Sequence, residues 1–112
     1  MLLSFLSHCL DRSSLLLAAS EIDRVLPLGG MVALSDFAPD RPTRRPWKHR
    51  DGITTFKLPD AGATIFLATG MYREIGRLTY DHDAHGRLDA ATPGERRAVV
   101  CLLRKESMYL CE

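Results

Sequence analysis

Several groups of side chains in this 112-residue sequence are equipped for chemistry. Ser4, Ser7 and His8 close a first short apolar run, MLLSFLSHCL, and Asp36 and Phe37 close a second, MVALSDF. Arg41, Arg44, Arg45, Lys48, His49 and Arg50 surround Trp47. Asp81, His82, Asp83 and His85 lie within five positions. His8 has the side chain of a general base working near neutral pH, or it packs and caps at a strand–helix junction. Asp36 either takes a polar group of a ligand or caps its own loop. The arginine forks suit carboxylate or phosphate, or else the basic stretch is a solvated loop offset by Asp40 and Asp51. The Asp81–His85 group matches no zinc spacing and reads as a polar turn. Lys57 and Tyr72 either face a ligand pocket or occupy a sheet edge or the core. Cys9 and Cys101 sit among apolar neighbours, as buried and inert thiols do.

The elements that must position these groups follow from periodicity. Residues 1–10 have the length and apolarity of a buried parallel strand, although a helical segment reads the same way over so few residues. Asp11 offers an N-cap. From there Leu15, Ala18, Ala19, Ile22, Val25 and Leu26 recur at three- and four-residue steps, an apolar stripe with Glu21, Asp23 and Arg24 off it. Pro27 and Gly29-Gly30 stop the helix, and Met31 to Phe37 reads as a second strand. Residues 1–37 thus have the length of a parallel βαβ unit. Ligands of open parallel sheets bind outside the carboxyl ends of the strands, which is where Ser4, Ser7, His8, Asp36 and Phe37 fall.

Residues 38–52 contain three prolines and six basic side chains and read as an extended basic loop. In residues 53–112, Ile53–Lys57 reads as a brief extended piece, and Asp60 caps a short helix reaching about Thr69 and closed by Gly70. Tyr72–Tyr80 and Arg97–Arg104 read as strands that pair across turn-rich residues as a long-looped hairpin. The expected fold class is α/β, one domain over 1–112, with a parallel βαβ unit followed by an antiparallel strand pair.

Fifteen Lys and Arg face fourteen Asp and Glu, a formal charge of +1. That balance is too neutral for a protein that holds nucleic acid by neutralising phosphates. With 46% hydrophobic residues the chain is too apolar to be disordered. No apolar run approaches the roughly 18–20 residues that span a bilayer. The three cysteines, widely spaced, build neither a disulfide framework nor a metal knuckle. Reduced thiols and the absence of a basic region before the first apolar run lead us to expect a cytoplasmic protein.

The order of motifs resembles a known family. Ser7-His8-Cys9, then Glu21-Ile22-Asp23-Arg24-Val25-Leu26, then Pro27-Leu28-Gly29-Gly30, then Ser35-Asp36-Phe37 are similar to the fourth strand, following helix and fifth strand of class I S-adenosylmethionine-dependent methyltransferases. Pro27 and Leu28 stand where that family usually has Lys and Pro. His49, Gly52, Phe56 and Lys57 resemble a later His-x-x-Gly-x-x-x-Phe-Lys segment, and a short helix and closing antiparallel pair complete the likeness over essentially the whole chain.

The resemblance implies a partial Rossmann-like sheet from a seven-stranded fold with one antiparallel strand. It implies S-adenosylmethionine as cofactor, with Ser4, Ser7 and His8 beside it. It implies a small-molecule methyl acceptor met by Asp36, Phe37, Arg45, Trp47 and His49. The Gly-rich loop and acidic strand end that hold the cofactor in that family have no counterpart here, because Gly29-Gly30 ends a helix instead of beginning one. The C-terminal portion of the family's fold, without the N-terminal cofactor half, is therefore expected, and a truncated copy needs no cofactor. The alternative is a non-catalytic module that self-associates, as a homodimer, or pairs with a partner through its uncovered first-strand edge. No metal, nucleic-acid or membrane role is expected.

Overall fold

A computed structural model describes residues 1–4, 10–47, 51–83 and 96–107. Among them lie six strands and two helices: β1 (Leu2–Ser4), α1 (Arg12–Val25), β2 (Met31–Phe37), β3 (Thr43–Pro46), β4 (Thr54–Lys57), α2 (Ala63–Leu67), β5 (Tyr72–Asp81) and β6 (Arg97–Lys105).

The helix α1 begins where the sequence places it. Asp11 accepts the Ser14 backbone N–H at 2.7 Å, satisfying a donor that the first turn leaves open. The helix ends before Pro27, and the chain turns back at Gly29 and Gly30. A Cβ on Gly30 would stand 2.8 Å from the Pro27 carbonyl oxygen, so the turn admits no side chain there. Ala19 and Ile22 pack against the core and Leu26 is buried in it. Val25, part of the apolar stripe, instead lies exposed with Leu16 and Leu17. The stripe is wider than the sheet contact it serves.

The main sheet runs β1-β2-β6-β5. β1 pairs parallel with β2, with Leu3 opposite Leu34 and Ser4 opposite Ser35. β6 is antiparallel to both β2 and β5. β1, β2 and β5 therefore point one way and β6 alone runs against them. The expected hairpin of β5 and β6 forms, and its second strand inserts between β2 and the first. The expected loop between residues 38 and 52 is in part a strand: β3 pairs antiparallel with β4, Thr43 opposite Lys57 and Pro46 opposite Thr54. The β-branched Thr43 fits a pleated surface, and Pro46 sits at the strand end where a missing N–H is tolerated.

Side chains alternate between the two faces of the sheet. One face carries Val32 and Leu34 from β2 and Val99, Cys101 and Leu103 from β6, all buried. Both helices cover this face. Phe66 of α2 meets Tyr72 edge-on at 5.1 Å between ring centroids, and Cys101 Sγ lies 3.7 Å from the Asp60 carbonyl oxygen just before α2. Asp60 also serves α2 as the sequence suggests, accepting from the Thr64 N–H at 2.8 Å and the Gly62 N–H at 3.2 Å, although Gly62 is the capping residue.

Lys105, 3% exposed, donates to the carbonyl oxygens of Asp23 at 2.8 Å and Leu26 at 3.0 Å. Its ammonium also stands 3.2 Å from the Asp23 carboxylate, which accepts the Tyr72 hydroxyl at 2.6 Å. The last turn of α1 is thereby tied to both β5 and β6. The Tyr72 bond, opposed by burial and helped by Lys105, holds the Asp23 carboxyl below its ordinary value. Burial and that same bond push the Tyr72 hydroxyl well above its ordinary range.

The opposite face carries no helix among the described residues. Leu2 (68% exposed), Met31 (40%) and Leu78 (64%) lie on it, on three different strands. The two edges of the sheet differ. β5 carries Arg73, Glu74 and Arg77 and a register shift between Glu74 and Gly76. Such charges and bulges keep an edge from pairing further. β1, of sequence LLS, carries neither.

Candidate functional site

Because β1, β2 and β5 are co-directional, their carboxyl ends gather on one side of the sheet with the start of β6. Ser4, Asp36, Phe37, Asp81 and Arg97 all fall there. Backbone bonds close this side: the Ala38 N–H donates to the Arg97 carbonyl at 2.7 Å and the His82 N–H to the Arg96 carbonyl at 2.8 Å.

Asp36 and Asp81 are each 2% exposed. Asp36 Oδ1 accepts the Phe37 N–H at 2.7 Å. Asp81 accepts from Arg96 Nη2 at 3.0 Å and from the Asp83 N–H at 2.9 Å. Arg97 pairs with Asp40 at 2.5 Å across 57 residues. The carboxylates of this edge are thus engaged by local donors.

Phe37 is the centre of a different arrangement. The Lys57 ammonium lies 4.2 Å from its ring centroid. The His82 ring meets it edge-on, 5.0 Å between centroids and 72° between planes. One aromatic ring therefore gathers an ammonium from β4 and an imidazole from just beyond β5.

Of the sequence-derived candidates, Ser4 sits exposed at the end of β1 beside Ser35, adjoining Asp36 and Phe37. Arg45 and Trp47 lie along the β3–β4 hairpin, away from its Lys57 end. Lys57 faces Thr43 at the base of the β3–β4 hairpin, whereas the Trp47 N–H donates to the Ile53 carbonyl at the other end. Four residues of strand, about 13 Å, separate the two ends. Arg45 lies exposed between them, its carbonyl accepting the Thr55 hydroxyl at 3.1 Å. Ser7, His8 and His49 lie outside the described residues.

Lys57 and His82 did not stand out from spacing, since twenty-five residues separate them and it is the sheet order that sets the end of β5 on the same side as Phe37. The one available signal was the Asp-Phe and Tyr-Asp-His endings of two strands pointing the same way. Cys101 is buried, and burial raises its thiol above the ordinary range. No helix among the described residues is long and apolar enough to cross a membrane.

The fit of these residues to S-adenosylmethionine is incomplete. The Gly29 N–H is taken by the Lys105 carbonyl at 2.7 Å and the Gly30 N–H by the Pro27 carbonyl at 2.9 Å. This Gly-rich turn offers neither glycine N–H to the cofactor's amino-acid part, and the one glycine that opens a described helix, Gly62 before α2, has its N–H taken by Asp60. No protein-family model matches the chain, and no curated protein matches it.

Proposed function

We propose that this chain is the C-terminal portion of a class I S-adenosylmethionine-dependent methyltransferase, acting on a small-molecule acceptor. The strand arrangement carries the reading. Three co-directional strands with one antiparallel strand between the second and the third agree with a partial Rossmann-like sheet closed by an antiparallel pair. The Ser35-Asp36-Phe37 motif ends β2, at the edge where open α/β sheets take ligands. In this reading Ser4, Ser7 and His8 serve cofactor binding, and Asp36, Phe37, Arg45, Trp47 and His49 serve acceptor binding.

Calorimetric titration of the folded chain with S-adenosylhomocysteine tests this. Micromolar binding is the expected result. A folded sample with no detectable binding overturns the reading.

A second reading is a non-catalytic module that associates through β1. Its support is the contrast between the two sheet edges together with the apolar face shared by Leu2, Met31 and Leu78. Sedimentation across a hundredfold concentration range is expected to show association, reduced by Ser4→Pro, which removes a strand donor. A strict monomer refutes it.

A further inference from the structure

We propose that the β3–β4 hairpin is a binding arm for single-stranded nucleic acid, holding the phosphodiester backbone with Arg41 and Arg44 and stacking a base on the Arg44–Phe56 pair. This role is independent of the methyltransferase reading.

The formal charge of +1 conceals a strong asymmetry. Residues 41–57 hold six Lys and Arg against one acid, Asp51, while the remaining residues hold nine against thirteen. Charge gathered in one segment acts locally, so a nearly neutral chain still presents a cationic surface. Asp40, the acid that adjoins the start of this segment, does not offset it: its carboxylate is matched to Arg97 of β6 at 2.5 Å. Arg41, Arg44 and Arg45 are all exposed. Neither Arg41 nor Arg44 has a carboxylate partner among the described residues.

The register decides which way the hairpin faces. Lys57 lies over Phe37 of the main sheet, so the face that carries Lys57 is turned to the body. Arg44 and Phe56 stand opposite one another and, by alternation, project from the other face. The Arg44 guanidinium lies 5.7 Å from the Phe56 ring centroid, a planar cation held over a half-buried ring. Guanidinium planes and aromatic rings are the surfaces on which unpaired bases stack, and arginine forks match phosphate. A base inside a duplex is already stacked, which favours a single strand. An acidic peptide fits less well: Pro42 precedes β3 and Pro46 ends it, and a proline has no N–H with which to add a strand.

The test follows the fluorescence anisotropy of labelled oligouridylate and oligothymidylate, each about a dozen nucleotides long, as the full 112-residue chain is added. Binding is expected at low salt and falls as salt rises. The tighter of the two strands identifies RNA or DNA as the preferred form. Arg44→Gln is expected to weaken binding about fivefold and to lower the slope of log affinity against log salt by about 0.7, the share of one phosphate. Phe56→Leu is expected to weaken it about fivefold with the slope unchanged, because it removes stacking and no charge. Arg24→Gln removes an exposed arginine matched to Glu21 on α1 and is expected to leave binding unchanged. Thermal melts accompany each variant, and Arg44→Gln, at an exposed position, keeps the test decisive if Phe56→Leu fails to fold. A wild-type chain that binds neither strand overturns the proposal. So does equal binding of a DNA duplex or a polyglutamate peptide, undiminished binding by Arg44→Gln, or an equal loss in Arg24→Gln.

Discussion

The Lys105 ammonium donates to the Asp23 carbonyl at 2.8 Å, joining the final strand to the first long helix across 82 residues. It stands 3.2 Å from the carboxylate of the same residue. One side chain therefore neutralises a carboxylate and caps helix carbonyls that have no intrahelical partner.

Replacing Lys105 by Met leaves these acceptors without their cation. Breaking a buried ion pair costs several kcal/mol, but the Asp23 side chain is partly solvated, so we expect a loss of about 2 kcal/mol. Tyr72→Phe removes one hydrogen bond to the same carboxylate and is expected to cost about 1 kcal/mol. Urea unfolding of both variants and the double variant checks this. Simple additivity would show that the three groups do not act as a unit.

Asp23 has a folded-state pKa below its unfolded value of 3.8, so the stability it confers is present above that pH and fades as pH falls through the folded value. The stability difference between wild type and Asp23→Asn is expected to be constant from pH 7 to about 5 and to shrink below 3.8. Tyr72 has the opposite sign: its pKa is raised, so its contribution is complete below the ordinary value of 10.0 and declines as pH rises from there through the folded value. Alkaline melts of wild type and Tyr72→Phe should converge above that pH.

Gly30→Ala places a methyl group 2.8 Å from the Pro27 carbonyl oxygen and 2.9 Å from a Leu26 methyl. Since the nearer obstacle is backbone, the turn must shift, and we expect a loss of about 1–3 kcal/mol. Gly29, with nothing near an added Cβ but a φ of 81°, should respond to Asn far better than to Val. Chemical denaturation of the three variants distinguishes steric from conformational cost.

The Cys101 thiol is buried and its pKa raised, so little thiolate forms and reagents have no access. Iodoacetamide at pH 8 should leave Cys101 unmodified in the folded chain and label it in denaturant, as read by peptide mass spectrometry. Rapid labelling of the folded chain would contradict its burial.

Local patterns in the sequence determined most of the elements. Asp11 and the three- and four-residue apolar steps specify α1, because a cap and a stripe are encoded within a few turns. Met31–Phe37 and Arg97–Arg104 are legible as strands because their apolar runs are short and bounded by turn residues. The Thr43–Pro46 strand was not legible, since exposed arginines leave no alternation of apolar and polar residues to detect. At the site, Asp36 and Phe37 were marked by their place at a strand end, and Arg45 and Trp47 by composition alone, which does not encode distance from Phe37. Tertiary structure alone decided that β6 lies between β2 and β5 and that both helices share one face. It brought Lys57 and His82 to one ring and turned Asp23, off the apolar stripe in sequence, into the partner of Lys105 and Tyr72. These are contacts between segments far apart in the chain, and they depend on sheet order, to which short-range periodicity is blind.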